Sequence, residues 1–340
     1  MILEFVIPFV ISFIVTLVLT PYMTKKLEKI GIVGIDFHKV DKPRVPEMGG
    51  VIILIGMISS IIITATFVDT ISKTILLAAL CTLTLIAIIG MIDDLFPLKQ
   101  SQKVILCAFG SAPLVMIRFG RSLVYIPFFG ILELGRIYWF IIIPIAITGA
   151  ANAINMLAGL NGLETGIGAI ACGGLVICAF ITDSNISAIF GLTLLGALLA
   201  FLKYNIYPAK IFPGDTGTLI IGASLAIMST MGNMEKAGAV ALLPMAGTAI
   251  LGLHFFELFF KAKTKFNGES FGVLSDEGKL KPPKLNGKTQ ISSLTHLIMW
   301  KYDLTEKQIV YLFWAIQFVV MILVVALVYA EIFVVRLNIS

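Results

Sequence analysis

Apolar residues run along this chain in long blocks, interrupted by short clusters of Asp, Glu, Asn, Lys, Gly and Pro. A helix rises about 1.5 Å per residue, so about 20 apolar residues cross the hydrocarbon core of a bilayer. Ten blocks approach that length, at roughly 3–23, 49–68, 72–92, 103–119, 138–158, 165–182, 186–203, 215–233, 237–260 and 309–334. Between two of them, Phe119–Ile137 alternates polar and apolar residues among glycines, which predicts a short hairpin. The connection Lys261–Lys307 begins basic and contains Gly268, Gly272, Gly278, Pro282, Pro283 and Gly287, so it reads as a loop with turns. Within it, apolar Ile291–Trp300 is expected to lie along the interface. No repeat is evident. The expected fold is an all-α polytopic membrane protein of about ten transmembrane helices, a single integral-membrane domain over residues 1–340.

Composition agrees with that pattern. Hydrophobic residues make up 58% of the 340, charged residues 13%, and mean hydropathy is +1.00; soluble domains carry about 25% charged residues. Cys81, Cys107, Cys172 and Cys178 all lie in apolar runs without metal-ligand spacing, and are expected to be buried as small apolar residues. Ile2–Leu19 lacks a basic leading region and a small-residue cleavage site, so it reads as a retained first span. The net charge of +5 does not call for nucleic acid, because the basic residues divide by membrane side. Ten spans put both termini on one side. Lys73, Arg118, Arg121, Arg136, Lys236 and Arg336 fall on that side, and the other 19 of the 25 Lys and Arg residues fall on the opposite one. The positive-inside rule makes the richer side cytoplasmic and leaves both termini outside.

Three polar motifs fall on the cytoplasmic side. Asp93-Asp94 end the third span, Asn152–Glu164 (NAINMLAGLNGLE) end the fifth, and Phe212–Gly217 (FPGDTG) open the eighth. Polar groups are expensive in or near hydrocarbon, and their convergence at one face suggests a place that holds a metal ion and phosphates. Asp215 and Asn155 offer hard oxygen ligands of the kind Mg²⁺ takes. Asp215 at a helix start equally suits a cap. Asn152 and Asn155, three apart, share a helix face and equally suit bonds between spans. Gly159 and Gly162 are expected to break that helix and admit a ligand. Adjacent Asp93 and Asp94 point about 100° apart on a helix and need not share a ligand; they equally suit a water boundary. The run GKLKPPKLNGK carries Lys279, Lys281 and Lys284, either as contacts to anionic head groups or as a lid over a diphosphate, with residues 261–307 as the lid. His38, His254 and His296 stand apart from any nucleophile and read as structural. A cation-coupled transporter is the rival class; it would place such groups near the midplane in related halves, and no internal symmetry is seen.

At these motifs the chain resembles the polyprenyl-phosphate N-acetylhexosamine-1-phosphate transferases. The resemblance covers most of the chain and includes Asp41–Gly50 (DKPRVPEMGG), Asp93-Asp94 with Lys103, NAINMLAGLNGLE and FPGDTG. It is nearest to the eukaryotic and archaeal branch that begins N-glycosylation; bacterial members usually carry DGLDG where this chain has Ala158–Gly162. The last loop has lysines where the dolichyl-phosphate enzyme usually has arginines, and so lacks their bidentate geometry. The resemblance implies a multi-pass protein of the cell membrane, or of the endoplasmic reticulum in a eukaryote, with its active site facing the cytoplasm. It implies UDP-N-acetylglucosamine, or another UDP-N-acetylhexosamine, and a polyprenyl or dolichyl phosphate as substrates, Mg²⁺ (alternatively Mn²⁺) as cofactor, and inhibition by tunicamycin. Nucleic acid is not an expected partner, and monomer and homodimer both stay open. By position, Asn155 and Asp215 would hold the metal, and Lys103, Lys279 and Lys281 would contact phosphate, with Lys284 in the same loop. Phe212 would stack on uracil and Asn161 would bond its edge. Asn152 and Glu47 would line the site, and Asp93 and Asp94 would serve the lipid phosphate. A phosphate monoester has a second pKa of about 6, so the lipid nucleophile needs no strong base, and the two aspartates are expected to act by positioning.

Overall fold

The computed structural model describes residues 2–120, 122–126, 130–248, 272–285 and 288–337. It is mostly helical. In chain order the elements are α1 (Ile2–Ile30), β1 (Val33–Ile35), β2 (Arg44–Pro46), α2 (Gly50–Thr64), α3 (Thr70–Leu95), α4 (Gln100–Gly110), α5 (Ala112–Ile117), β3 (Leu123–Ile126) and β4 (Gly130–Glu133). A π-helical turn (Tyr138–Ile142) then leads into α6 (Ile143–Leu157), α7 (Leu163–Ile181), α8 (Asn185–Asn205), α9 (Gly214–Met231) and α10 (Glu235–Ala241). The strand pairs β5 (Val273–Leu274) with β6 (Leu280–Lys281) and β7 (Lys284–Leu285) with β8 (Lys288–Thr289) precede α11 (Leu294–Lys301) and α12 (Glu306–Leu337).

Six helical stretches among the described residues are long and apolar enough to cross a membrane: Leu3–Ile30, Thr70–Leu95, Tyr138–Leu157, Leu163–Ile181, Asn185–Asn205 and Glu306–Ile332. They coincide with six of the ten predicted spans. The other four differ. The block at 49–68 forms only the 15-residue α2. The block at 103–119 is split into α4 and α5, because Pro113 has no N–H to continue the ladder and Arg118 closes α5 in the left-handed region. The block at 215–233 forms the 18-residue α9, buried at every position from Thr216 to Met231. The block at 237–260 begins as α10 and runs beyond the described residues.

Helix α9 is the hub, packed by α2, α3, α6, α7 and α8. Small residues permit the close crossings, as is usual where lipid removes the hydrophobic drive between helices. A Cβ on Gly50 would lie 2.1 Å from Gly217 N, so α2 and α9 meet backbone to backbone. A Cβ on Gly90 would lie 2.5 Å from Thr216 Cα, which brings α3 equally near. Polar links tie the outer helices: Ser60 Oγ donates to Pro8 O at 2.7 Å and lies 3.2 Å from Thr193 Oγ1, joining α1, α2 and α8. The predicted hairpin forms as β3–β4, in register Leu123↔Glu133. The apolar stretch Ile291–Trp300 folds in part as α11, with Thr295, His296 and Met299 buried. Cys107, Cys172 and Cys178 are buried as expected, whereas Cys81 is exposed, on the outward side of α3.

Candidate active site

The three polar motifs meet where the C-terminal ends of α3 and α6 face the N-terminal end of α9. Asp94, from α3, caps α9: its Oδ1 accepts from Asp215 N at 2.6 Å, and its Oδ2 accepts from Thr216 N at 3.1 Å and Thr216 Oγ1 at 2.6 Å. Gly214 is obligatory there, with φ +67° and space for a Cβ only 2.7 Å from Asp94 Oδ2. Asp93 turns the other way. Its Oδ1 accepts from Leu98 N at 2.7 Å, and its Oδ2 pairs with Lys103 on the first turn of α4. Lys103 Nζ also reaches Asp215 Oδ2 at 3.2 Å, so one buried ammonium stands between two carboxylates. Asn152 holds this arrangement from behind: its Oδ1 accepts from Gln100 Nε2 at 2.9 Å and its Nδ2 donates to Thr148 O at 2.8 Å.

The segment Arg44–Gly50 is laced to the FPGDTG turn. Phe212 N donates to Pro46 O at 2.8 Å, Gly49 N to Phe212 O at 2.9 Å and Gly50 N to Pro213 O at 2.8 Å. Between them lies a cavity of about 320 Å³, lined among others by Glu47, Asn155, Asn161, Phe212, Asp215 and Glu164. Burial, helped by the Asp94 carboxylate, pushes Glu47 up to about 7.

The structure therefore gathers Glu47, Asn155, Asn161, Phe212 and Asp215 on one cavity, with Asp93, Asp94 and Lys103 bracing Asp215 from outside the lining. Asn152 gives both ends of its carboxamide to the protein and does not line the cavity. The three loop lysines are not brought to it either: Lys279 pairs with Glu277 at 2.8 Å, Lys281 pairs with Asp303, and Lys284 is exposed on β7. Lys281 lies on β6 and Lys279 just ahead of it, and each pairs with an acid that does not line the cavity. The first part of the expected lid, and His254, lie outside the described residues.

Sequence reasoning missed a second cluster on the cavity. Asp36, His38 and Glu306 place ligand atoms within 4.8 Å of one another. Lys39 Nζ already pairs with Asp36 Oδ2 at 3.3 Å and Glu306 Oε2 at 2.5 Å, and Asn161 Nδ2 donates to Asp36 Oδ2 at 2.9 Å. A cation there would face the Lys39 charge, so the cluster is an ion-pair network. The signal lay in Asp36-Phe37-His38-Lys39, five residues ahead of the segment singled out in sequence. Glu306, at the start of the last helix, reads in sequence as a favourable dipole charge.

The profile described as glycosyl transferase family 4 matches residues 76–233. A protein of Saccharolobus solfataricus, provisionally named UDP-N-acetylglucosamine–dolichyl-phosphate N-acetylglucosaminephosphotransferase, is 35% identical over 96% of this chain and 97% of its own length. A Sulfolobus acidocaldarius protein of the same provisional name is 33% identical over 88% of each chain. A phospho-N-acetylmuramoyl-pentapeptide-transferase of Shouchella clausii is 32% identical over 57% of this chain and 63% of its own. With such likeness over nearly its whole length, and with the motifs folded onto one cavity, the chain belongs to glycosyl transferase family 4, among the polyprenyl-phosphate N-acetylhexosamine-1-phosphate transferases.

Proposed function

We propose that this protein transfers N-acetylglucosamine-1-phosphate from UDP-N-acetylglucosamine to a dolichyl or polyprenyl phosphate, releasing UMP and opening lipid-linked glycan assembly. The observation that carries the reading is the cavity in which Phe212, Asn155 and Asp215 face one another, with Lys103 behind Asp215. The names of the two archaeal relatives support the sugar and the lipid.

In the proposed reaction an oxygen of the lipid phosphate attacks the β-phosphorus of the UDP-sugar in line. A new P–O bond forms, the bond from that phosphorus to the bridging oxygen breaks, and UMP leaves with its electron pair. Phe212 offers a face for uracil. Asp215 and Asn155 present hard oxygens to the same cavity, a donor set that fits Mg²⁺. When bound, the cation would neutralise diphosphate charge there. Lys103 holds Asp215 and adds positive charge beside the diphosphate. Asp93 fixes Lys103, and Asp94 fixes the first turn of α9, so both work by positioning. The charge asymmetry of the connections supports an active site facing the cytoplasm, with both termini outside. Family membership leaves the transporter reading without support.

The test is UMP release by the purified protein from UDP-N-acetylglucosamine, polyprenyl phosphate and Mg²⁺. Release that requires the lipid supports the proposal; release only with a different UDP-N-acetylhexosamine would keep the chemistry and change the sugar.

A further inference from the structure

The last helix grips the loop that forms one wall of the cavity. Glu306, the first residue of α12, is only 5% exposed. Its Oε1 accepts from Asn161 N at 2.8 Å, and its Oε2 accepts from Lys39 Nζ at 2.5 Å. Asn161 and Lys39 both also hold Asp36. Two turns further along α12, Trp314 Nε1 donates to Gly162 O at 3.2 Å. The fit is close: a Cβ on Gly166 would lie 2.1 Å from the Trp314 ring.

The 158–162 loop needs such a hold. It joins α6 to α7 with Gly159 at φ +131° and Gly162 at φ +82°, so no regular ladder fixes its shape. Its residues Ala158 to Asn161 line the cavity beside Phe212. Both peptide groups that α12 engages, the Asn161 N–H and the Gly162 carbonyl, belong to this loop. A buried N–H that donates a charge-assisted bond and then loses its acceptor is left unsatisfied, which is more costly than the bond alone suggests.

We propose that Glu306 is a positioning residue for nucleotide binding: with Trp314 it fixes the 158–162 loop in the shape that receives the uridine. The inference rests on the reading of this cavity as the UDP-sugar site. It makes the last helix, none of whose residues lines the cavity, a determinant of UDP affinity.

The experiment is calorimetric titration of the full-length protein in detergent with UDP and MgCl₂, alongside KM measurements for both substrates. Glu306→Ala is expected to weaken UDP by about tenfold, the loss of one charge-assisted bond. Glu306→Gln, which keeps an acceptor for the Asn161 N–H, should recover affinity to within about threefold of wild type. The KM for polyprenyl phosphate should stay within about twofold in both. Trp314→Phe keeps an aromatic side chain but removes the indole N–H donor and should weaken UDP by about threefold, which reads the latch even where Glu306→Ala fails to fold. UDP affinity unchanged in Glu306→Ala, or a parallel rise in both KM values that glutamine does not rescue, overturns the inference alone. Wild-type protein that binds no UDP overturns the site reading and the inference with it.

Discussion

Asp94 Oδ2 accepts from Thr216 Oγ1 at 2.6 Å, so a carboxylate at the end of one helix caps the start of another. With the two backbone N–H groups it also takes, Asp94 sets the direction of the first turn of α9 and therefore of Asp215. Asp94→Ala strips three donors of their acceptor. It is expected to cost about 2 kcal/mol of stability, read as a lowered melting temperature in detergent, with activity lost alongside it. Asp94→Asn keeps acceptor capacity and should lie between. Wild-type melting in Asp94→Ala would contradict the cap.

Lys103 pairs with both Asp93 and Asp215. Lys103→Met leaves two carboxylates facing each other without a cation. Breaking a buried pair costs about 3 kcal/mol, so this variant should be markedly less thermostable and more than about 100-fold slower. Adding Asp93→Asn should restore much of the melting temperature and none of the turnover, because the charge beside the diphosphate is still missing. Recovery of both would remove Lys103 from the chemistry.

Backbone contact between α2 and α9 requires Gly50. Gly50→Ala would drive a methyl carbon to 2.1 Å from Gly217 N, and is expected to abolish folded protein on size-exclusion chromatography. Gly149→Ala in α6 meets nothing within 4 Å, and should be neutral or stabilising by about 0.5–1 kcal/mol. Equal behaviour of the two would show that the close crossing is absent.

Glu47 is held up at about 7 by burial and by Asp94. The folded protein thus keeps a proton on Glu47 that the unfolded chain releases near its ordinary value of 4.5. The folded state binds more protons across that window, so this residue's contribution to stability falls as pH rises from about 4.5 to about 7, and is flat above it. Melting of substrate-free protein across this range should slope more gently in Glu47→Gln. An unchanged slope would place the titration elsewhere.

Much of this was legible in the sequence because membranes simplify the problem: apolar length marks helices, and polar residues at their ends stand out. Six long spans, the hairpin near residues 119–137, the break after Leu157, and the approach of Asp93 and Asn155 to Asp215 followed from those signals. The limits are equally physical. Hydropathy sees apolar length and misses Pro113, so one predicted span is two short helices. Spacing places Asn152 beside Asn155 on a helix, yet cannot show that Gln100 consumes the carboxamide of one. The Glu306–Asn161 bond joins residues 145 apart and leaves no local pattern at all. Lys279 and Lys281 read as phosphate contacts because their sequence is basic; spacing does not show that they pair with Glu277 and with the distant Asp303.

The central claim is tested most directly by UMP release from UDP-N-acetylglucosamine and polyprenyl phosphate, with and without EDTA, by wild type and Asp215→Ala. The account predicts lipid-dependent release that EDTA abolishes and Mg²⁺ restores, and no release by Asp215→Ala at any UDP-N-acetylglucosamine concentration. EDTA-resistant turnover, or near-normal turnover in Asp215→Ala, would contradict it.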